Sequence, residues 1–191
     1  MDPFATFGIE RRFDVNLPAL EKRHRELSRA LHPDKFADAG PSERKATLAK
    51  AVEVNEAWRV LRDPITRAEA LFALAGVSTD ERNAPRPSGQ LLSAALELRE
   101  ALEEAKEKRD LAAIEKLAGH VDASRRAAEE KLAAAFADGG AKRAAVEALV
   151  PVLGELRFHK RFLDEVSAIE DAIAEAEVAA QSRNPETLEN P

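Results

Sequence analysis

Residues 17–36 read LPALEKRHRELSRALHPDKF. Leu20, Leu27 and Leu31 fall at offsets of zero, seven and eleven, the spacing of one face of an α-helix. Lys22, Arg25 and Arg29 make a second stripe on the other side. Asn16, just before the run, is suited to cap it. Pro33 forces a stop, because the residue before a proline is driven out of the helical region. His32-Pro33-Asp34 is therefore expected at a helix end, on an exposed loop beside a positive face, with Lys35 following it.

Working outward, Ala39-Gly40-Pro41-Ser42 is turn chemistry, with Ser42 the expected N-cap of the next helix. That helix extends to about Arg62, with Ala51, Val54, Trp58 and Leu61 on one face. Asp63-Pro64 is a stop and a restart: Asp63 caps, and Pro64 suits a first helical turn. The short helix that follows ends before Gly76, a favourable C-terminal glycine. His24 falls on the apolar face of its helix. Trp58 reads as core or as a wedge between domains.

Residues 77–89, VSTDERNAPRPSG, are polar and contain two prolines, which makes them the best linker. Beyond them a helix is expected from Gln90 to about Lys108. A second, capped by Asp110, runs to about Ala137, with Gly119-His120 loosening its middle. Asp138-Gly139-Gly140 breaks the chain, and a long helix follows from Ala141 to about Ala180, with a local kink at Pro151. Residues 181–191 read as a disordered tail. The expected architecture is all-α: an N-terminal helical hairpin domain over 1–76, then an antiparallel three-helix bundle over 90–180.

Composition agrees. The chain has 191 residues, 45% of them apolar, with neither Cys nor Tyr and only 8 Gly. The absence of Cys excludes disulfides, thiolate metal sites and thiol catalysis. No apolar run is long enough for a membrane span, and the N-terminus lacks a secretory pattern, so a cytoplasmic protein is expected. Residues 1–76 hold 13 Lys+Arg against 12 Asp+Glu; the rest hold 16 against 23, a net of −7. That acidic half argues against general nucleic-acid binding. The basic stripe is local, and its natural counterpart is an acidic surface on another protein. An enzyme reading is weak, with no P-loop, nucleophile motif or His/Cys/acid cluster. His120 and His159 have no second ligand at metal spacing. No cofactor is expected.

His32-Pro33-Asp34 at the end of a basic helix resembles the J-domain, through which DnaJ-like co-chaperones switch on the ATPase of a DnaK-type chaperone. Lys35-Phe36, Val54-Asn55-Glu56-Ala57-Trp58, Leu61 and the opening Phe4-Ala5-Thr6-Phe7-Gly8 extend the match. Three further stretches resemble the HscB family, J-domain co-chaperones of iron–sulfur cluster assembly. They are Arg67-Ala68-Glu69 to Leu74-Ala75-Gly76, Gln90-Leu91-Leu92-Ser93-Ala94-Ala95-Leu96-Glu97-Leu98-Arg99-Glu100, and Leu156-Arg157-Phe158. With the J-domain, the likeness covers residues 1 to about 175. It implies that the first domain engages an HscA-type ATPase chaperone through His32, Pro33, Asp34, Lys22, Arg25, Arg29 and Lys35. It also implies that the second holds an IscU-type scaffold protein.

Helical geometry supports a docking surface independently. Leu91, Ala95, Leu98, Leu102 and Ala105 form one seam, the expected core. Leu96 lies ~200° from Leu98 around the axis, and Leu92 is also off the seam. In the last helix Leu149, Leu153, Leu156 and Leu163 share a stripe, and Phe158 lies ~200° from Leu156, on the far side. Leu92, Leu96 and Phe158, converging outside the core, would form an apolar patch flanked by Glu97 and Glu100. The alternative is a broad core face or packing between domains. The resemblance points to the same place, since Leu92, Leu96, Glu97, Arg99, Glu100 and Phe158 match positions implicated in scaffold binding. Ser93 departs from it by replacing a long apolar side chain.

Three functions fit these residues: an HscB-like co-chaperone dedicated to the scaffold, a general J-protein, or a non-catalytic helical adaptor. Neither a Gly/Phe-rich linker nor a Cys-rich module follows residue 76, which disfavours the second. A monomer is expected, with a dimer through the same patch as the alternative.

Overall fold

A computed structural model describes residues 1–80, 89–137 and 142–182. Among these every regular element is helical: α1 (Pro3–Phe7), α2 (Leu17–Ala30), a 3-10 turn (Pro33–Phe36), α3 (Pro41–Arg62), α4 (Pro64–Leu74), α5 (Gly89–Glu107), α6 (Leu111–Ala135), α7 (Arg143–Glu147) and α8 (Val150–Ser182). None is long and apolar enough to cross a membrane. The described residues form two compact units. One holds 1–80 with 128–137 and 142–154; the other holds 89–127 with 155–182. Most of the linker, the Asp138-Gly139-Gly140 break, Ala141 and residues 183–191 lie outside the described residues.

In the first unit Asp2 opens α1 by accepting from the Phe4 and Ala5 N–H groups at 3.0 and 3.2 Å. Phe4 and Phe7 are buried, and the Thr6 hydroxyl donates to Glu53 of α3 at 3.0 Å. The Asn16 side chain accepts from the Ala19 N–H at 3.0 Å, the cap anticipated for α2. α2 and α3 pack together, burying Leu20, Val54, Ala57 and Leu61. His24 stacks on Trp58, centroids 5.1 Å apart, and bonds Asn55 at 3.0 Å.

α3 departs from expectation at its start. Its cap is Gly40, which makes no side-chain bond, and Pro41 is the first helical residue. The proline's fixed φ suits that position, so Ser42 falls inside the helix rather than at its cap. At the other end Asp63 Oδ1 accepts from the Ile65 and Thr66 N–H groups at 2.9 and 3.0 Å. Replacing Asp63 with Ala should cost about 1 kcal/mol of stability in urea unfolding; no loss would mean the cap is idle. α4 closes at Gly76 (φ 74°), where the Val77 N–H donates to the Phe72 carbonyl at 2.9 Å and Val77 is buried. Only this left-handed turn requires glycine there.

Arg67 of α4 is buried, donates to the Leu61 carbonyl at 2.7 Å and lies 4.9 Å from the centre of the Phe13 ring. Burial pushes its guanidinium down, while the charges of Glu129, Asp63 and Asp14 push it up.

Residues 128–137 and 142–154 belong by sequence order to the second block, yet they pack in the first unit. Ala128 and Leu132 of α6, and Phe136 just past its end, are buried at four-residue spacing, and Phe136 lies 6.0 Å from Phe72. Arg12 donates to the Ala137 carbonyl at 2.8 Å. The single long helix expected from Ala141 is instead two, α7 and α8. Pro151 is the second residue of α8, where its missing N–H costs no bond. In one continuous helix its ring would have met the Glu147 carbonyl.

The second unit is a three-helix bundle. Leu102 and Ala105 of α5, Ile114 and Val121 of α6, and Phe162, Val166, Ile169 and Ile173 of α8 share its core. Past the end of α5 Arg109 stands at φ 50°, and Asp110 Oδ1 accepts from the Ala113 N–H at 3.0 Å, the expected cap of α6. α6 runs unbroken through Gly119-His120.

Candidate protein-docking surfaces

The first candidate surface lies where α2 ends. Leu31 terminates the helix, and His32 turns into the extended region (φ −64°, ψ 133°), as the residue before a proline must. His32 Nδ1 accepts from the Asp34 N–H at 3.3 Å and lies 3.4 Å from the Asp34 carboxylate; the His32 carbonyl accepts from the Lys35 N–H at 3.0 Å. The loop is thus ordered by short-range bonds of its own, one from the backbone and the others from the His32 ring. Its two functional groups nevertheless face solvent, the His32 and Asp34 side chains being 58% and 89% exposed. Lys22, Arg25, Arg29 and Lys35 are exposed, and Arg25 is only loosely paired with Glu21 at 3.4 Å. Such pairs are weak in water, so the stripe can exchange them for a partner's carboxylates.

The second candidate surface lies in the three-helix unit. Leu92 and Leu96 are 57% and 59% exposed, beside exposed Glu97, Arg99 and Glu100. The Ser93 hydroxyl donates to Glu97 at 3.2 Å, so it occupies itself within α5. Arg99 reaches Glu165 of α8 at 3.6 Å. Further along, Lys106 and Arg109 line one groove with Ala172, Ile173 and Ala176, so α5 and α8 run in the same direction. Seven residues before Arg99 and Glu165 stand Leu92 and Phe158. Two helical turns displace each by only about 20° around its axis, which brings Leu92 level with Phe158.

Phe158 itself corrects the sequence reading. It does not stand on the far side of α8 but packs against the bundle core, half-buried, 6.3 Å from Phe162. Residues 158, 162, 166, 169 and 173 carry the core stripe of α8. Leu153 and Leu156, on the leucine stripe, are buried as well. Leu92 and Leu96 therefore stand out in solvent, while Phe158 belongs to the edge of the core. Beside it, burial pushes the His159 imidazole down; Glu155 opposes this, and His120 and Arg125 add to it. Its Nδ1 is buried without a hydrogen-bond partner. Among the described residues no His, Asp and Glu side chains cluster as a metal site would need.

Residues 88–167 match the family model described as the HSCB C-terminal oligomerisation domain. The chain is 34% identical over 173 residues to the co-chaperone protein HscB homolog of Shewanella oneidensis, covering 91% of this chain and 99% of that one. A Burkholderia multivorans homolog of the same name is 33% identical over 86% of this chain and 91% of its own. The chain belongs to the HscB family. Solved structures agree. Chaperone HscB from Vibrio cholerae superposes with a TM-score of 0.76 at 28% identity, covering 90% of this chain and 99% of that one. The human co-chaperone HscB shares the fold at a TM-score of 0.78 and 24% identity, over 89% and 82%. The HscB relatives are named co-chaperones, a non-enzymatic role.

Proposed function

We propose that this protein stimulates the ATPase of an HscA-type, DnaK-like chaperone and delivers an IscU-type iron–sulfur scaffold to it. Residues 1–76 act as the J-domain and residues 90–180 supply the scaffold-binding bundle, although 128–137 and 142–154 of that range pack with the first unit; 77–89 join the two. The observation that carries this reading is the exposure of His32 and Asp34 at the end of the basic helix α2. Lys22, Arg25, Arg29 and Lys35 steer the loop onto an acidic surface, which makes the on-rate salt-sensitive. His32, Pro33 and Asp34 then rearrange contacts in the partner, so that its hydrolysis-competent state gains population. Leu92, Leu96, Glu97, Arg99, Glu100 and Phe158 hold the scaffold.

The test is the steady-state ATPase rate of an HscA-type chaperone, with and without scaffold, as this protein is titrated in. Stimulation that rises further with scaffold supports the proposal. Stimulation without that synergy leaves a general J-protein, and none at all leaves a helical adaptor. Because Phe158 packs on the core, its truncation would mix folding with binding. Leu92→Ser with Leu96→Ser is the cleaner variant. It should weaken scaffold binding roughly tenfold or more by calorimetry, since exposed apolar anchors carry such interfaces, while leaving scaffold-free stimulation intact. Undiminished scaffold binding would remove these leucines from the site.

A further inference from the structure

Leu48 and Val52 of α3 are 61% and 60% exposed, two large apolar side chains one turn apart in a unit whose other apolar groups are mostly covered. Their position on the helix is fixed by two contacts. Asn55 marks the side of α3 that faces α2, because it bonds His24 at 3.0 Å. Glu53, which binds Thr6 of α1, marks the other side. At 100° per residue, Leu48 lies within about 20° of Asn55 and Val52 about 60° from it, whereas Glu53 is about 160° away. Leu48 therefore lies on the shoulder of the hairpin next to α2, and Val52 stands beside it on the outward face, opposite buried Leu61.

Their level along the hairpin follows from the antiparallel pairing. Asn55 sits opposite His24, so moving back seven residues to Leu48 corresponds to moving forward seven residues on α2, to Leu31. That is where His32 begins, and α3 also packs against the 3-10 turn of Pro33–Phe36. On α2 the same shoulder carries Ser28, which lies 3.3 Å from His24. One turn earlier, about 60° farther round, comes Arg25. The basic stripe, the His32 loop and the Leu48–Val52 pair thus form one continuous face, cationic on one helix and apolar on the other.

We propose that Leu48 and Val52 are the apolar half of the chaperone-docking surface. They would be covered by a nonpolar segment that the ATPase chaperone presents beside the acidic patch meeting α2. This rests on the function proposed above. It adds a contribution the basic stripe cannot make: an attraction that salt does not screen, and one that selects among related chaperones by whether they carry the nonpolar segment.

The test uses the full chain and the ATPase titration, comparing wild type, Leu48→Ser/Val52→Ser, Leu48→Met/Val52→Ile, Arg25→Ala and His32→Gln at low and high salt. The serine pair should raise the half-saturating concentration roughly five- to tenfold with the maximal rate unchanged. That loss should persist at high salt, whereas the loss in Arg25→Ala should shrink. The apolar pair Leu48→Met/Val52→Ile should restore wild-type behaviour. If the serine pair titrates like wild type while His32→Gln is dead, this inference fails and the proposed function stands. If wild type does not stimulate, both fall. If the serine pair instead weakens scaffold binding or self-association with stimulation intact, the occupant is the scaffold or a second copy, and the assignment is overturned.

Discussion

His32→Gln is expected to return chaperone ATPase activity to its unstimulated rate while leaving the protein as stable as wild type. The structure separates the two effects. The His32 side chain packs against nothing in the core; its contacts are the Asp34 N–H at 3.3 Å and the Asp34 carboxylate at 3.4 Å. A surface substitution of this kind changes stability by no more than about 0.5 kcal/mol. The turn does not depend on the imidazole, because Pro33 fixes the backbone and the His32 carbonyl already accepts from Lys35 at 3.0 Å. What glutamine removes is an aromatic ring with two nitrogens, presented to a partner at the end of a positive helix. The measurement is the steady-state ATPase rate alongside a thermal melt. An unchanged melt with full stimulation would show that the loop is an ordinary helix-ending turn. A lowered melt would show that His32 supports the hairpin.

The largest stability effect is expected at Phe162. Its side chain is 2% exposed, sits among Leu102, Ile114, Val166 and Ile169, and meets Phe158 at 6.3 Å. Phe162→Ala should cost about 3–5 kcal/mol in urea unfolding, since the lost transfer energy adds to a cavity that helices cannot collapse into. That is a large part of the about 5–15 kcal/mol typical of a whole domain. Phe158→Ala, at a half-buried position, should cost clearly less. Equal losses at the two positions would mean that α8 is rotated from the orientation described here.

The hairpin was legible in the sequence because its signals are local. Asn16, Asp63 and Asp110 each carry a side-chain oxygen at the start of an apolar periodicity, and each caps the helix it precedes. Gly76 and Pro64 likewise declare their places through φ alone. Ser42 misled because a capping serine and a first-turn proline compete for neighbouring positions, and Pro41 won. The last helix was harder. Its residues around Leu153 and those from Phe158 onward are buried in different units, so two apolar stripes overlap and no single moment reports either. The exposed Leu48 and Val52 gave a weaker signal still, because a helix with apolar groups all round reads only as more buried. The exposed loop, by contrast, could be placed from Pro33 alone.

The burial of Phe136 beside Phe72 has a consequence for the order in which the chain can fold. These two rings are 64 positions apart in sequence, and Arg12 and Ala137 are bonded across 125. Loop-closure entropy rises only slowly with such separations, but contacts of this range slow the search for the native state. A chain emerging from the ribosome releases its entire α1–α4 hairpin long before Phe136 exists to cover Phe72. The first unit is thus begun by its N-terminal residues and finished by residues made after α5 and most of α6. A fragment ending at Gly76 would carry the docking loop intact but leave Phe72 without that ring, and a growing chain stands in the same position until α6 has been translated.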